Sequence, residues 1–283
     1  MDHIIHHPWE IKLGPLNLTG FGIAVLMAFV IAQIITQREL TRRGHDAEAQ
    51  AIPDLIFASV LGMLLGGKLY YILVITHDWR DFFTRAGFVF WGGLIGGVIL
   101  CWTYITRRKL SFPRFADVAG PAIAGAYAVG RTGCWAVGDD YGRPWASRFA
   151  VAFPEGAPPS SAGIMNRMFG TPLPPGATSD TILAVHPTQL YEVAMAVVMF
   201  LVIWRYRDHK HAEGWLFGLY CVLAGLERFI VEFFRAKDDR FFGPLTMAQV
   251  IALAFMAGGA LWMALRWTPG EGKPGIHARP AAA

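Results

Sequence analysis

The feature that most limits this chain is a series of seven apolar runs, at roughly residues 16–37, 54–76, 86–106, 116–136, 187–204, 214–234 and 245–265. A helix rising 1.5 Å per residue needs about 20 residues to cross a hydrocarbon core about 30 Å thick, and each run supplies about that many. Inside lipid there is no water to satisfy backbone N–H and C=O groups, and the α-helix pairs them within one segment. The expected fold is therefore all-α: a polytopic membrane protein with about seven transmembrane helices. The 283 residues are 54% hydrophobic and 16% charged, against about 25% charged in soluble domains. The pI is near 9.0, but the basic residues sit in short clusters between apolar runs, as in cytoplasmic loops. No nucleic-acid partner is expected. Cys101, Cys134 and Cys221 lie in or beside apolar runs without CxxC spacing and read as small buried hydrophobes.

Lysine and arginine set the orientation. "QRELTRRGH", "RRKLSFPR" and "RYRDHKH" follow runs one, three and five and are short and basic. "HDWRDFFTR" and "RAKDDRFFGP", after runs two and six, mix both signs. The first group belongs in the cytoplasm, which puts the N-terminus outside and the C-terminus inside. The opening "MDHIIHHPWEIKLGPLN" is neither basic nor apolar enough for a cleavable signal peptide. The expected layout is one integral-membrane domain, 1–267, with residues 137–186 as an outer loop or head between spans four and five. That connection is rich in Pro, Gly and Ser and too long for a tight turn, so it is either a small head or a mobile flap. Residues 268–283, "TPGEGKPGIHARPAAA", read as a disordered cytoplasmic tail.

Charges inside the runs carry the chemistry: Lys68, Arg131, Glu192, Glu227, Arg228 and Glu232. Each costs about 2.5 to 3.5 kcal/mol at a bilayer centre on insertion scales and needs a reason to be there. Lys68, Arg131, Arg228 and Glu192 fall at similar depth on one side of the midplane, and Arg228, Glu232 and Arg235 share one helix face. One reading is a structural ion-pair network, Arg228 with Glu232 and Arg131 with Glu192. The other is a polar pocket with excess positive charge for a phospholipid headgroup, because a guanidinium grips phosphate oxygens in pairs. In "GRTGCWAVGDDYGRPW" (130–145), Gly130, Gly133 and Gly138 allow close backbone approach, and Asp139 and Asp140 can orient arginines or bind water. Gly62 with Gly66, Gly92 with Gly96, and Gly93 with Gly97 mark either close helix packing or a smooth groove for a lipid chain or peptide.

"GRTGCWAVGDDYGRP" resembles the GRxGNFxNxExxGR signature of the bacterial prolipoprotein diacylglyceryl transferases. "HPTQLYE" (186–192), "ERFIVEFFR" (227–235) and "FWGGLIGGVI" (90–99) resemble that family's HPxQLYE, RxxVEFFR and GGLIG segments, in the same order. The similarity runs from about Leu16 to Leu265. The resemblance implies transfer of the diacylglyceryl group of phosphatidylglycerol to the lipobox cysteine of a prelipoprotein, with a thioether formed and glycerol phosphate released. It implies a multi-pass protein of the bacterial inner membrane, with membrane lipids around it and no cofactor. By motif, Arg131 and Arg228 bind the lipid phosphate, Glu232 and Asp139 take acidic positions, and Gly142 keeps the second motif glycine. Tyr191, Glu192, Gly92 and Gly93 complete the expected substrate-binding set. Cys134 stands where many members have asparagine, Asp139 replaces glutamate, Phe21 replaces tyrosine, and Trp91 stands where some members have histidine.

In such a reaction charge builds on the leaving phosphate ester, so fixed cations lower the barrier. The nucleophile is a thiolate, from a thiol of reference pKa about 8.5. His186 is the first base expected from sequence, because imidazole titrates near neutrality; the plainer alternative is that His186 and Pro187 only begin a helix. "DHKH" (208–211) lacks carboxylate and cysteine partners, so no metal site is expected. A paralogue with another acceptor and a lipid transporter or scaffold are the alternative functions.

Overall fold

The computed structural model describes residues 3–13, 16–84, 87–236 and 240–267. The chain is mostly helical. Its helices are α1 (Gly20–Arg42), α2 (Asp46–Ala49), α3 (Ile52–Tyr70), α4 (Phe90–Arg107), α5 (Phe112–Val137), α6 (Ala162–Phe169), α7 (Thr188–Arg205), α8 (Trp215–Val231) and α9 (Met247–Leu265). Each of the seven apolar runs coincides with one long helix. Four stretches are long and apolar enough to cross a membrane by length and composition: Gly20–Arg42, Asp46–Thr76, Thr188–Arg205 and Met247–Leu265. Helix α8 has 17 residues, and α4 and α5 are diluted by glycine and alanine. Large apolar side chains such as Leu26, Phe57, Ile99, Leu201 and Leu261 stand exposed along the helices, a surface suited to lipid and not to water.

Short strands join the helices, which the expectation of an all-α chain did not include. They are β1 (Ile4–Ile5), β2 (Glu10–Leu13), β3 (Leu16–Thr19), β4 (Val151–Ala152), β5 (Ala184–Val185), β6 (Arg240–Phe242) and β7 (Leu245–Thr246). The first apolar run thus starts as a strand: β3 pairs antiparallel with β2. Helix α1 begins only after Thr19, whose hydroxyl accepts from the Gly22 N–H at 3.2 Å as an N-cap. The proposed tail, 268–283, lies outside the described residues.

By internal packing the described residues divide into two units, those of 3–32 with 119–267 and those of 33–118. In the second unit α3 packs on α4 through glycine. A Cβ on Gly62 or Gly66 would overlap the backbone of Gly96 or Gly92, and the converse holds for Gly92 and Gly96. Gly93 faces Met63, with less severe crowding. The same glycines leave an apolar groove of about 420 Å³ that also involves Leu69 and Leu73. Leu40, Ile52, Ile105, Phe115 and Val118 form this unit's core. Beside it Arg43 pairs with the fully buried Asp117 at 3.2 Å, and Arg42 pairs with Glu39 at 2.7 Å. The Lys68 ammonium donates to the carbonyls of Asp81 (2.9 Å) and Thr84 (2.8 Å) and to the Thr84 hydroxyl. Sequence depth groups Lys68 with the arginines; its charge instead holds the turn that follows α3.

In the first unit α8 and α9 pack closely at Gly218, Gly225 and Gly259. Ala124, Ala128, Ala196, Met199, Ile203 and Leu216 make its helical core. The 137–186 connection carries its own strand pairing and buried cluster. Its β4 pairs with β1 on one side and β5 on the other, over a core of Tyr141, Val151, Phe153, Met165, Val185 and Ala236.

The glycine contact makes a direct prediction. Gly96→Ala should destabilise the protein by about 1 to 3 kcal/mol, because the methyl has backbone in its place. Gly258→Ala, where a Cβ meets nothing within 4 Å, should be neutral or gain up to about 1 kcal/mol from helix propensity. Thermal unfolding of both variants in the same detergent checks the difference.

Candidate active site

Arg131 lies near the end of α5. The helix stops at Gly138, whose φ of 69° is left-handed and whose N–H returns to the Cys134 carbonyl at 2.9 Å. Beyond it Asp139 and Asp140 turn the chain back over the helix end, Asp140 itself with φ 56°, a conformation aspartate tolerates. The turn is held from α7. The Thr188 hydroxyl donates to the Asp140 carbonyl at 2.7 Å, and the Gln189 amide donates to the Asp139 carbonyl. Both side chains are fully buried.

Gly142 is where three segments meet. Its N–H donates to the His186 carbonyl at 2.8 Å, and the Arg143 N–H donates to the Phe234 carbonyl at 2.9 Å. A Cβ at 142 would overlap the Phe234 carbonyl and come within 2.8 Å of the His186 Cβ and 2.9 Å of the Thr188 Cγ2. Any side chain there would separate the three motifs.

That wedge brings the charges together. Glu192, fully buried on α7, pairs with Arg131 Nη2, with Arg235 Nη1 at 3.8 Å and with Arg228 Nη1 at 3.9 Å. Glu232 pairs with Arg228 at 2.9 Å and lies 3.9 Å from Arg235. Asp140 bridges Arg131 and Arg235, each at 2.9 Å. Both ion pairs expected from sequence are present, and among the described residues three guanidiniums, Arg131, Arg228 and Arg235, face the three carboxylates Glu192, Glu232 and Asp140. Arg228 is the most open of the three, its side chain 36% exposed against 11% for Arg131 and 16% for Arg235.

Two carboxyls side by side differ in character. Burial raises the Asp140 carboxyl, but Arg235 and Arg131 more than offset this and hold it down at about 2. Burial, and then the charge of Asp140, pushes Asp139 up to about 6. Asp139 Oδ1 is buried without a hydrogen-bond partner among the described residues. Cys134 Sγ lies 3.4 Å from Arg131 Nη1, so the thiol at the motif's asparagine position still touches the arginine.

His186 sits in an aromatic setting. Its ring stacks on Trp145 at 4.3 Å and meets Phe234 edge-on, and its Nδ1 is 3.2 Å from the Tyr191 hydroxyl. Burial, then the charge of Arg143, lowers its pKa, which favours neutral imidazole. Tyr191 also packs on Phe234. Of the expected site residues, Arg131, Arg228, Glu232, Asp139, Gly142, His186, Tyr191 and Glu192 all fall in the first unit. Gly92 and Gly93 belong to the second, buried on α4 against α3. Asp140 orients two arginines, as its position in the motif suggested, whereas Thr188 and Gln189 were not singled out from sequence. The available signal was two polar residues at the very start of an apolar run.

Residues 8–265 match the family model described as prolipoprotein diacylglyceryl transferase. The chain is 30% identical over 276 residues to the phosphatidylglycerol–prolipoprotein diacylglyceryl transferase of Xanthomonas oryzae pv. oryzae (strain PXO99A), covering 91% of this chain and 90% of that one. The protein of the same name from Geobacter sulfurreducens is 31% identical over 257 residues, covering 87% and 89%. That from Nitratidesulfovibrio vulgaris is 29% identical over 271 residues, covering 92% and 93%. With the match extending over nearly its whole length, the chain belongs to the prolipoprotein diacylglyceryl transferase family.

Proposed function

We propose that this transferase moves the diacylglyceryl group of phosphatidylglycerol to the lipobox cysteine thiol of a prolipoprotein, forming a thioether and releasing glycerol phosphate. The observation that carries the reading is the convergence of Arg131, Arg228 and Arg235 on the buried Glu192, in a helical protein that exposes many large apolar side chains along its helices. Each guanidinium has five donors, more than the carboxylates occupy, and the remainder suit the oxygens of a phosphate ester. As the C–O bond breaks, charge grows on the leaving oxygen, and oriented cations favour that change. Arg228, the most open, is the first contact for the lipid; Arg131 and Arg235 hold the phosphate from behind. His186, flanked by Trp145 and Tyr191, lines the approach to this cluster.

In this reading seven helices cross the bacterial inner membrane as one domain, 1–267. The N-terminus and the 137–186 head face the periplasm, and the C-terminus faces the cytoplasm. The prolipoprotein meets the site at the border between membrane and head.

The test is incubation of the purified chain with phosphatidylglycerol and a lipobox peptide. Thioether peptide with stoichiometric glycerol phosphate is expected. Lipid consumed without peptide modification would point to another acceptor, and binding without turnover to a lipid scaffold; either sinks the reading. Arg228→Lys should lower kcat/KM by about 10²-fold or more, because a point charge cannot replace the two-pronged grip. Asp140→Asn should lower the thermal stability at neutral pH. Its folded-state pKa lies below the usual carboxylate range, so its contribution is present above about pH 4 and is lost as pH falls through about 2. The gap in unfolding temperature between wild type and Asp140→Asn should close over that window.

A further inference from the structure

Glu227 has no role in the network described so far. It precedes Arg228 on α8, is only 6% exposed, and its Oε1 has no hydrogen-bond partner among the described residues. Its carboxylate faces the Tyr127 side chain of α5 and feels the charges of Arg228, Arg131 and Arg235. Tyr220, two turns earlier on the same helix, feels its charge. Helix α9, packed against α8, carries no titratable residue. Tyr127 lies four residues before Arg131 on α5, with the Arg131 guanidinium 6.0 Å from its ring centre.

Depth gives this pair a meaning. Four residues along a helix are about 6 Å, so Tyr127 sits about one turn from Arg131 on the side away from the head. In a displacement the nucleophile enters opposite the leaving group. With phosphate held at the arginines, the reacting carbon lies beyond it and the sulfur further still, on the Tyr127 side. The other carboxylates are poorly placed for the sulfur's proton. Glu192, Glu232 and Asp140 each pair with at least two guanidiniums, and Asp139 lies past the end of α5 on the head side.

We propose that Glu227, reached through the Tyr127 hydroxyl, takes the proton of the attacking thiol; this rests on the transferase reading above. The S–H proton passes to the phenol oxygen as the phenol's own proton passes to Glu227. The sulfur's electron pair forms the C–S bond. The C–O bond breaks with its pair on the phosphate ester, which leaves as glycerol phosphate and takes up the proton that Glu227 then releases.

The experiment measures thioether formation from phosphatidylglycerol and a lipobox peptide by the full chain in lipid nanodiscs, between pH 6 and 9. Glu227→Gln, close in shape, should lower kcat by about 10² to 10⁴-fold at neutral pH, with KM for the lipid within about twofold of wild type. Its kcat should then climb about tenfold per pH unit toward the thiol's own pKa of about 8.5, as thiolate forms unaided. Tyr127→Phe should show a smaller loss of the same pH form, and Glu227→Asp a partial rescue. Two results would overturn the assignment: Glu227→Gln keeping kcat within twofold at neutral pH, or a loss equal at every pH and shared by Glu227→Asp, the mark of a packing role. A wild-type chain that forms thioether while Glu227→Gln does so equally well refutes the assignment alone. A wild-type chain that forms none refutes the transferase reading, and this assignment with it.

Discussion

One carboxylate organises the site. Glu192 has no exposed surface and stands within an apolar helix, where an unpaired charge would carry a desolvation penalty of several kcal/mol. It is stable there only because guanidiniums come to it from α5, from α8 and from the segment just past α8. The pairing works in both directions. Arginines that would otherwise seek the membrane surface are kept inside, and three separate stretches of chain are fixed relative to one another. Removing one member of such a set typically costs about 3 to 5 kcal/mol, since a buried charge is left without its partner.

Around that carboxylate the backbone does as much as the side chains. Asp140 can bridge Arg131 and Arg235 only because the chain reverses at Gly138. The reversal holds because Thr188 and Gln189 donate to the carbonyls of the turn. Gly142 then lets the 140–143, 186–188 and 234–235 segments touch. Three motifs that are far apart in sequence are one object in space, and the smallest residue in it sets their spacing.

The helices were legible because apolar runs of membrane length leave the backbone little choice. The pairs Arg131–Glu192 and Arg228–Glu232 were legible because charge in such runs demands a partner. Depth along a helix, however, is one coordinate, and direction around it is another. Lys68 shares the depth but is held by the turn after α3, which no periodicity announces. The head's strands are only two residues long, too short for alternation to appear, and they form through partners distant in sequence. Thr188 and Gln189 looked like the ordinary polar start of a helix; their value lies in which carbonyls they meet. Gly142 was marked by motif, and what its missing side chain makes room for is the Phe234 carbonyl, His186 and Thr188.

A site in which every arginine is already paired looks at first like a poor trap for an anion. In the proposed reaction the pairing is what would make it effective. Free arginines on flexible stems would each lose rotamer freedom on meeting a phosphate, about 2 kcal/mol per side chain. In the proposed reaction Glu192, Glu232 and Asp140 would have fixed the forks before any lipid arrives, so the dipoles and charges would need little rearrangement as the leaving oxygen gains charge. Near-neutrality also limits how tightly a ground-state phosphodiester is held. The preference then falls on the more highly charged departing phosphate, and that difference in binding is what accelerates a reaction.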